Sequence, residues 1–367
     1  MPPFRADQVG SLARPAALLA ARERRDRGEI ANDELRALED AEIRRIVQRQ
    51  QDIGFQVVTD GEFRRESWNR DFLLRFSNVV LGPSRIALPA AGGQSAARAP
   101  TALAVTGRIA RPAPIFVEAF EFLGATAQVT AKLTIPSPTI LHFRGGRDAI
   151  DRAAYPDLSE FYADVARVYQ EEIADLGAAG CTYLQVDDVN FAYICDPRIK
   201  AQVRAMGEDP DALPHTYATL INAAIGRRPA GMTVALHVCR GNAPSGWTEG
   251  GYEPVADILF NRIDVAGYFL EYDSPRAGGF EPLRLLPKGK TVVLGLVSTK
   301  TTALEDKDAL KRRIDRAARF VPLEQLAIST QCGFSSGMRT AGSRGMTEER
   351  QFEKLKLVVD VAREVWS

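Results

Sequence analysis

The sequence predicts an α/β fold, a (β/α)8 barrel of the TIM type with a β-hairpin inserted near residues 76–112. Short runs rich in β-branched residues alternate with longer amphipathic stretches along most of the chain, the pattern of βα units around a parallel sheet. Eight such runs are present, a number that suits a closed barrel better than an open sheet; an open doubly wound sheet of eight strands is the alternative. No GxGxxG follows a strand and no GxxxxGK[ST] occurs, so the usual dinucleotide and P-loop signatures of open sheets are missing. All 367 residues are read as one barrel domain, because α/β barrels routinely use about 250 residues or more as a single unit.

In chain order, strands are expected at Gln8–Leu12, Gln56–Asp60, Val129–Ile135, Thr182–Asp187, Thr233–Val238, Val265–Glu271, Thr291–Ser298 and Leu326–Gln331. Between the first two, residues 32–53 carry Leu35, Leu38, Ile43, Ile46 and Val47 at helical spacing among charges, with Asn32 as the expected N-cap. Residues 158–178 form a second such helix, opened by Asp157 or Ser159, and residues 347–365 a third that closes the chain. In the insertion, the strand-like pieces Val79–Leu81 and Ala102–Arg108 flank an Ala-, Gly- and Pro-rich stretch, Pro89–Pro100, expected to be a mobile hairpin tip. Residues 239–254 make a Gly- and Pro-rich loop directly after a strand, where barrels commonly build their active sites.

Composition narrows the functional classes. With 47 basic against 47 acidic residues, there is no electrostatic reason to expect nucleic acid or an anionic membrane as partner. No run of apolar residues is long enough to span a bilayer. The start, Met1-Pro2-Pro3-Phe4-Arg5-Ala6-Asp7, lacks the layout of a secretory signal, so the cytoplasm is the expected compartment. In that reducing setting the four widely spaced cysteines are expected to be buried thiols or metal ligands rather than disulfides. Small molecules are the expected partners. The sequence does not encode assembly; a homodimer is the commonest form.

The chemistry is concentrated where strands end. The endings are Thr59-Asp60-Gly61-Glu62, Gln185-Val186-Asp187-Asp188, His237-Val238-Cys239, Leu270-Glu271 and Thr330-Gln331-Cys332-Gly333. In a parallel barrel all of them converge on one rim. His237 and Cys239 are two residues apart, so on an extended strand both face the same way. Cys332 and Glu271, at other strand ends, supply a second thiolate and a carboxylate, and zinc accepts such a set. The competing reading is that the cysteines are small apolar core residues. A set this rich in sulfur is unlike a hydrolytic zinc site and suits the activation of a thiol, whose free pKa of about 8.5 leaves little thiolate at neutral pH.

VGSLARP at 9–15, VVTDGEFRR at 57–65, TIPSPTILHF at 134–143, YLQVDD at 183–188, LHVCRGN at 236–242, GYFLEYD at 267–273 and STQCGF at 329–334 together resemble the cobalamin-independent methionine synthase family, in its short form corresponding to the catalytic C-terminal barrel. The resemblance covers nearly the whole chain. It implies zinc held by His237, Cys239, Glu271 and Cys332, and methyl transfer from a methyltetrahydrofolate-type donor to the thiol of homocysteine, giving methionine. It places the amino-acid part of homocysteine at Gly10, Ser11, Glu62 and Asp187, and the folate near Arg108 and Phe143.

Three departures lie on the donor side. The family's QxDEP is here Gln185-Val186-Asp187-Asp188-Val189, a folate-side Glu is replaced near Tyr193, and the proton-donor His of an HS pair becomes Val297-Ser298. They put a triglutamylated folate in question and leave thiol activation intact. Two other functions compete. One is alkylation of a different thiol, such as epoxide opening by coenzyme M with Arg64, Arg65 or Arg240 on the sulfonate. The other is a catalytically silent zinc-binding barrel.

Overall fold

The computed structural model describes residues 2–87, 101–241, 248–335 and 345–366. The expected hairpin tip at 89–100 and the middle of the loop 239–254 lie outside the described residues. The strands are β1 (Val57–Val58), β2 (Val79–Pro83), β3 (Thr101–Val105), β4 (Thr130–Pro136), β5 (Tyr183–Asp188), β6 (Thr233–Val238), β7 (Gly267–Glu271), β8 (Thr291–Val297) and β9 (Leu326–Thr330). Seven of them form one curled parallel sheet in the order β1-β4-β5-β6-β7-β8-β9, and β2 pairs antiparallel with β3 in the expected hairpin. The central strands β5 and β7 are buried along their whole length. Helices therefore cover the outside of the sheet while side chains fill its inside, which explains the near-continuous apolar runs in the sequence.

The expected first strand differs. Residues 5–12 make a single parallel bridge, Ala6 to Ile328 of β9, with Asp7 N donating to Ile328 O at 3.0 Å and Ile328 N to Arg5 O at 2.9 Å. On the other side Leu12 N donates to Gly61 O at 3.0 Å, and Thr59 Oγ1 donates to Gly10 O at 2.7 Å. The segment thus closes the ring between β9 and β1, but side chains replace the ladder, and Gly10 at φ +141° breaks the extended run. For the same reason β1 is shorter than expected. Gln50, on the helix Asn32–Asp52, takes both the amide and the carbonyl of Thr59, at 3.1 and 2.9 Å.

The helices follow the pattern with local corrections. Helix Asn32–Asp52 starts at Asn32, after Ala31, with no side-chain cap. Its buried face is Leu35, Ile43, Ile46 and Val47, and Leu38 is turned to solvent. Asp157, rather than Ser159, caps helix Leu158–Ala178, accepting from Ser159 N at 2.8 Å. Thr347 caps Glu348–Val365.

Inside the ring, below the rim, lies a fully buried ion pair. Lys132 Nζ of β4 sits 2.6 Å from Asp7 Oδ1 and 3.2 Å from Gln185 Oε1, while Tyr183 donates to Asp7 Oδ2 at 2.8 Å. Burial lowers the Lys132 pKa, and Asp7 opposes that. The pair ties the N-terminal segment to β4 and β5 from within the ring. Among the described residues no helix is long and apolar enough to cross a membrane.

Candidate metal centre

The sheet register sets the heights of the candidate ligands. His237 of β6 stands opposite Phe269 of β7, so Glu271, two residues on, reaches the level of Cys239. Cys239 continues the ladder one step past β6, its amide donating to Asp188 O at 2.8 Å. Cys332 follows β9, where Gln331 N donates to Val297 O at 2.8 Å. One ligand atom from each of His237, Cys239, Glu271 and Cys332 lies within 4.8 Å of all the others. Four residues spread over 96 positions of sequence thus meet, as the strand endings predict. The two sulfurs are 3.5 Å apart. That is too far for a disulfide of about 2.05 Å and near the spacing of two thiolates on one tetrahedral ion with bonds of about 2.3 Å.

The chemistry of the group fits a cation. His237 is buried and neither ring nitrogen has a hydrogen-bond partner, a deficit worth about 1–3 kcal/mol in a protein interior. The Phe269 backbone favours a proton on the ring without forming a full hydrogen bond, and burial outweighs it, pushing the pKa down to about 3. The imidazole is therefore neutral, the form that binds metals. The Cys239 thiol is pushed well up by its hydrogen bond with Cys332 and by burial. As ligands the two sulfurs would be thiolates, and together with the Glu271 carboxylate in so small a volume they would need a positive partner. Glu271 is held in place by Arg240 N, which donates to its Oε1 at 2.8 Å, and by Lys300 Nζ, 3.1 Å from its Oε2.

Beside this cluster lies a pocket of acids. Glu62 has φ +58°, unusual for a residue other than glycine, which turns its side chain inward. Its Oε1 accepts from Thr134 Oγ1 at 2.8 Å and lies 3.7 Å from Arg65, while its Oε2 is buried with no partner. Asp187 accepts from Gln185 Nε2 at 2.7 Å, and burial together with the Glu62 charge pushes its pKa up to about 8. A side chain at Gly10 would run into Thr134 Cγ2 at 2.7 Å and approach Glu62 Oε1 at 3.4 Å, so glycine is required at this wall. Ser11 joins the two sites: its carbonyl accepts from Phe334 N at 2.8 Å, and its Oγ packs against Gly333, next to Cys332. Gly10, Ser11, Glu62 and Asp187 are thus brought together.

The remaining sequence candidates fall elsewhere. Arg108 is half-exposed and pairs with Glu160 and, at 3.5 Å, Asp164 of helix Leu158–Ala178. Phe143 is buried, its ring 6.2 Å from that of Tyr193 and 6.3 Å from that of Tyr217. Asp188 accepts from Thr139 Oγ1 at 2.5 Å and from Asn190 N and Phe191 N at 2.7 and 3.0 Å, capping the short helix Asn190–Ile194. Arg64 pairs with Asp40, Arg65 binds Thr134 O at 2.8 Å, and Arg240 stacks over Tyr252 and bonds Gly250 O.

The family model described as "Cobalamin-independent synthase, Catalytic domain" matches residues 4–364. The chain belongs to this family. Within and around it, the chain is 42% identical to the uncharacterized protein YxjH of Bacillus subtilis (strain 168), over 99% of this chain and 95% of that one. It is 25% identical to the methionine synthase of Pyrococcus abyssi (strain GE5 / Orsay), over 89% of this chain and 84% of that one. Among solved structures, the putative vitamin-B12 independent methionine synthase from Listeria monocytogenes superposes with a TM-score of 0.78 at 37% identity, covering 100% of this chain and 98% of that one. In this cobalamin-independent synthase barrel the sequence reading missed Lys300, which touches Glu271 from the loop after β8, and Thr134, which donates to Glu62; an ion pair of Glu62 with Arg65, the competing reading of that carboxylate, is present at 3.7 Å. A lysine just past a strand end on the reactive rim was the available signal for Lys300.

Proposed function

We propose that this chain is a zinc-dependent thiol S-methyltransferase that moves a methyl group from a methyltetrahydrofolate-type donor to homocysteine, giving methionine. The observation that carries this reading is the convergence of His237, Cys239, Glu271 and Cys332 to within 4.8 Å, with two sulfurs among them. Zinc bound by these residues would keep a substrate thiol ionised at neutral pH. The chain's own residues do the rest. Glu62 Oε2, buried with no partner, accepts the substrate ammonium together with Asp187. Asp187, whose pKa is pushed up to about 8 in the empty pocket, gives up its proton as the ammonium arrives. Gly10 keeps the wall open and Ser11 borders both the acids and the sulfur ligands, so the amino acid is oriented with its sulfur toward the cluster.

Relatives support this assignment: the Pyrococcus abyssi protein is named a methionine synthase and the Listeria monocytogenes protein a putative vitamin-B12 independent methionine synthase. A sulfonate-bearing thiol such as coenzyme M would need a rim cation; Arg65 is bonded to Thr134 O, while Arg64 and Arg240 are paired with Asp40 and Gly250 O through one nitrogen each and keep other buried nitrogens without a hydrogen-bond partner, so epoxide opening by coenzyme M stands as the competing outcome of the test. An inert zinc store gives no reason for an unpartnered carboxylate oxygen beside the cluster. The cytoplasmic setting belongs to the same proposal; Arg108, paired with Glu160, and Phe143, packed against Tyr193 and Tyr217, are given no folate role in it.

The test is direct. Purified protein should carry about one zinc per chain and form methionine from homocysteine and methyltetrahydropteroyl mono- or triglutamate, followed by mass spectrometry. Product formed only from an epoxide, or full activity without stoichiometric metal, would overturn the reading.

A further inference from the structure

Lys300 stands on the loop after β8, with Nζ 3.1 Å from Glu271 Oε2 and 3.4 Å from Asp273 Oδ2. The candidate ligands are held unequally. Glu271 has both an ion pair and a backbone donor, whereas the His237 ring nitrogens have no hydrogen-bond partner and the two sulfurs face each other, Cys239 Sγ accepting in addition from Gly241 N at 3.4 Å. Lys300 itself is fixed. Its amide donates to Ser298 Oγ at 3.3 Å, and that hydroxyl donates to Asp273 Oδ2 at 2.9 Å. Ser298 N donates to Glu305 Oε1 at 2.8 Å, and Glu305 is paired at 2.9 Å with Lys354, a buried residue of the last helix. Thr299 N donates to Gln331 Oε1 at 2.5 Å, next to Cys332. This web places a permanent cation against one oxygen of one ligand.

We infer that Lys300 is a positioning residue that makes Glu271 the exchangeable ligand of the metal cluster. The inference rests on the thiol-activation reading above. An ammonium bonded to a carboxylate draws off part of its donor strength, and a carboxylate is already the hardest and least suited partner for zinc in a set with imidazole and two thiolates. With zinc held by His237, Cys239, Glu271 and Cys332, an entering substrate thiol would take the place of the Glu271 carboxylate, its proton going to solvent, so that one singly negative ligand would replace another. The released carboxylate stays paired with Lys300, so no buried charge is left unpaired.

X-ray absorption on the zinc-loaded, full-length protein, before and after adding homocysteine, reads the exchange without turnover. In the natural chain the sulfur ligands rise from two to three and the nitrogen and oxygen ligands fall from two to one. In Lys300→Met the carboxylate stays bound. Homocysteine then binds about tenfold more weakly, and zinc is held about tenfold more tightly against a chelator, the scale on which partners of metal ligands act. Lys300→Arg keeps the natural exchange. Where Lys300→Met does not fold, Lys300→Gln removes the charge and retains a donor, with the same expected result. Thiol and zinc affinities within about twofold of the natural chain in the uncharged variant overturn the role of Lys300. A natural chain whose sulfur count does not rise overturns instead the thiol-activation reading beneath it.

Discussion

The mouth of the barrel has two unlike sides. Around Glu62, Asp187 and His237 the buried polar atoms are under-supplied: Glu62 Oε2 and both His237 ring nitrogens have no partner, and Asp187 is held protonated to about pH 8. Around Phe143, Tyr193 and Asp188 the groups are satisfied by their own neighbours: the rings pack on one another, and the Asp188 carboxylate takes Thr139 Oγ1 and two backbone amides. Buried polar groups are normally paired, so an unpaired carboxylate oxygen or imidazole calls for a water, an ion or a ligand as partner. On that measure the side proposed to take the thiol has room for a hydrogen-bonding partner, and the side the family resemblance assigns to the methyl donor is closed by its own rings and bonds.

The comparison breaks first at the metal. Cys332→Ser should lose stoichiometric zinc and lower methionine formation by more than about 100-fold, beyond what the loss of a ligand's own partner costs; metal analysis alongside the assay checks both. Unchanged zinc and turnover would remove the sulfur cluster from the thiol side. The frame beneath it is tested by Asp7→Ala. This variant removes the counter-charge of the buried Lys132 and leaves it to its bonds with Gln8 O and Gln185 Oε1, and should lower the unfolding free energy by about 3–5 kcal/mol in urea titrations.

Weaker but more specific effects separate the acids from the metal. Glu62→Gln should retain zinc and raise KM for homocysteine about 10- to 100-fold, the worth of a hydrogen bond to a charged group. Asp187 makes a pH prediction. Its pKa stands near 8 in the folded chain against an ordinary 3.8, so the folded state binds the extra proton between those values. Stability from this group is full below about pH 4 and is lost as pH rises toward 8, with a slope approaching about 1.4 kcal/mol per pH unit. Unfolding free energies of Asp187→Asn should be flatter than those of the natural chain across that window. Equal slopes would mean that Asp187 is ionised when the pocket is empty.

Legibility in the sequence follows the same division. His237 and Cys239 could be read because strand geometry puts alternate residues on one face, and Glu271 and Cys332 because strand ends in a parallel ring converge. The strands from β4 onward were legible from apolar runs, since both faces are buried. The first stave was misjudged because Asp7, Gln8 and Gly10 close the ring through side-chain bonds and a bend rather than through a ladder. Lys300 stayed hidden because its position depends on Glu305 and on Lys354, more than fifty residues away. Arg108 matched a pattern position, but nothing in local sequence announces that Glu160, on a helix far along the chain, will take its guanidinium.

That last residue gives the smallest expected effect and the sharpest view of the donor side. Arg108 is exposed and its ion pairs lie on the outer helix Leu158–Ala178, where such pairs contribute at most about 1 kcal/mol. Arg108→Ala should therefore leave the melting temperature nearly unchanged and alter KM for a methylfolate donor by no more than about twofold, with zinc and homocysteine binding untouched. A tenfold rise confined to the donor's KM, larger for a triglutamate than for a monoglutamate, would show that the glutamate tail runs along this face and releases Arg108 from Glu160. The donor side would then be a site that assembles only around its ligand, in contrast to the proposed thiol side, where Gly10, Glu62 and Asp187 already stand together.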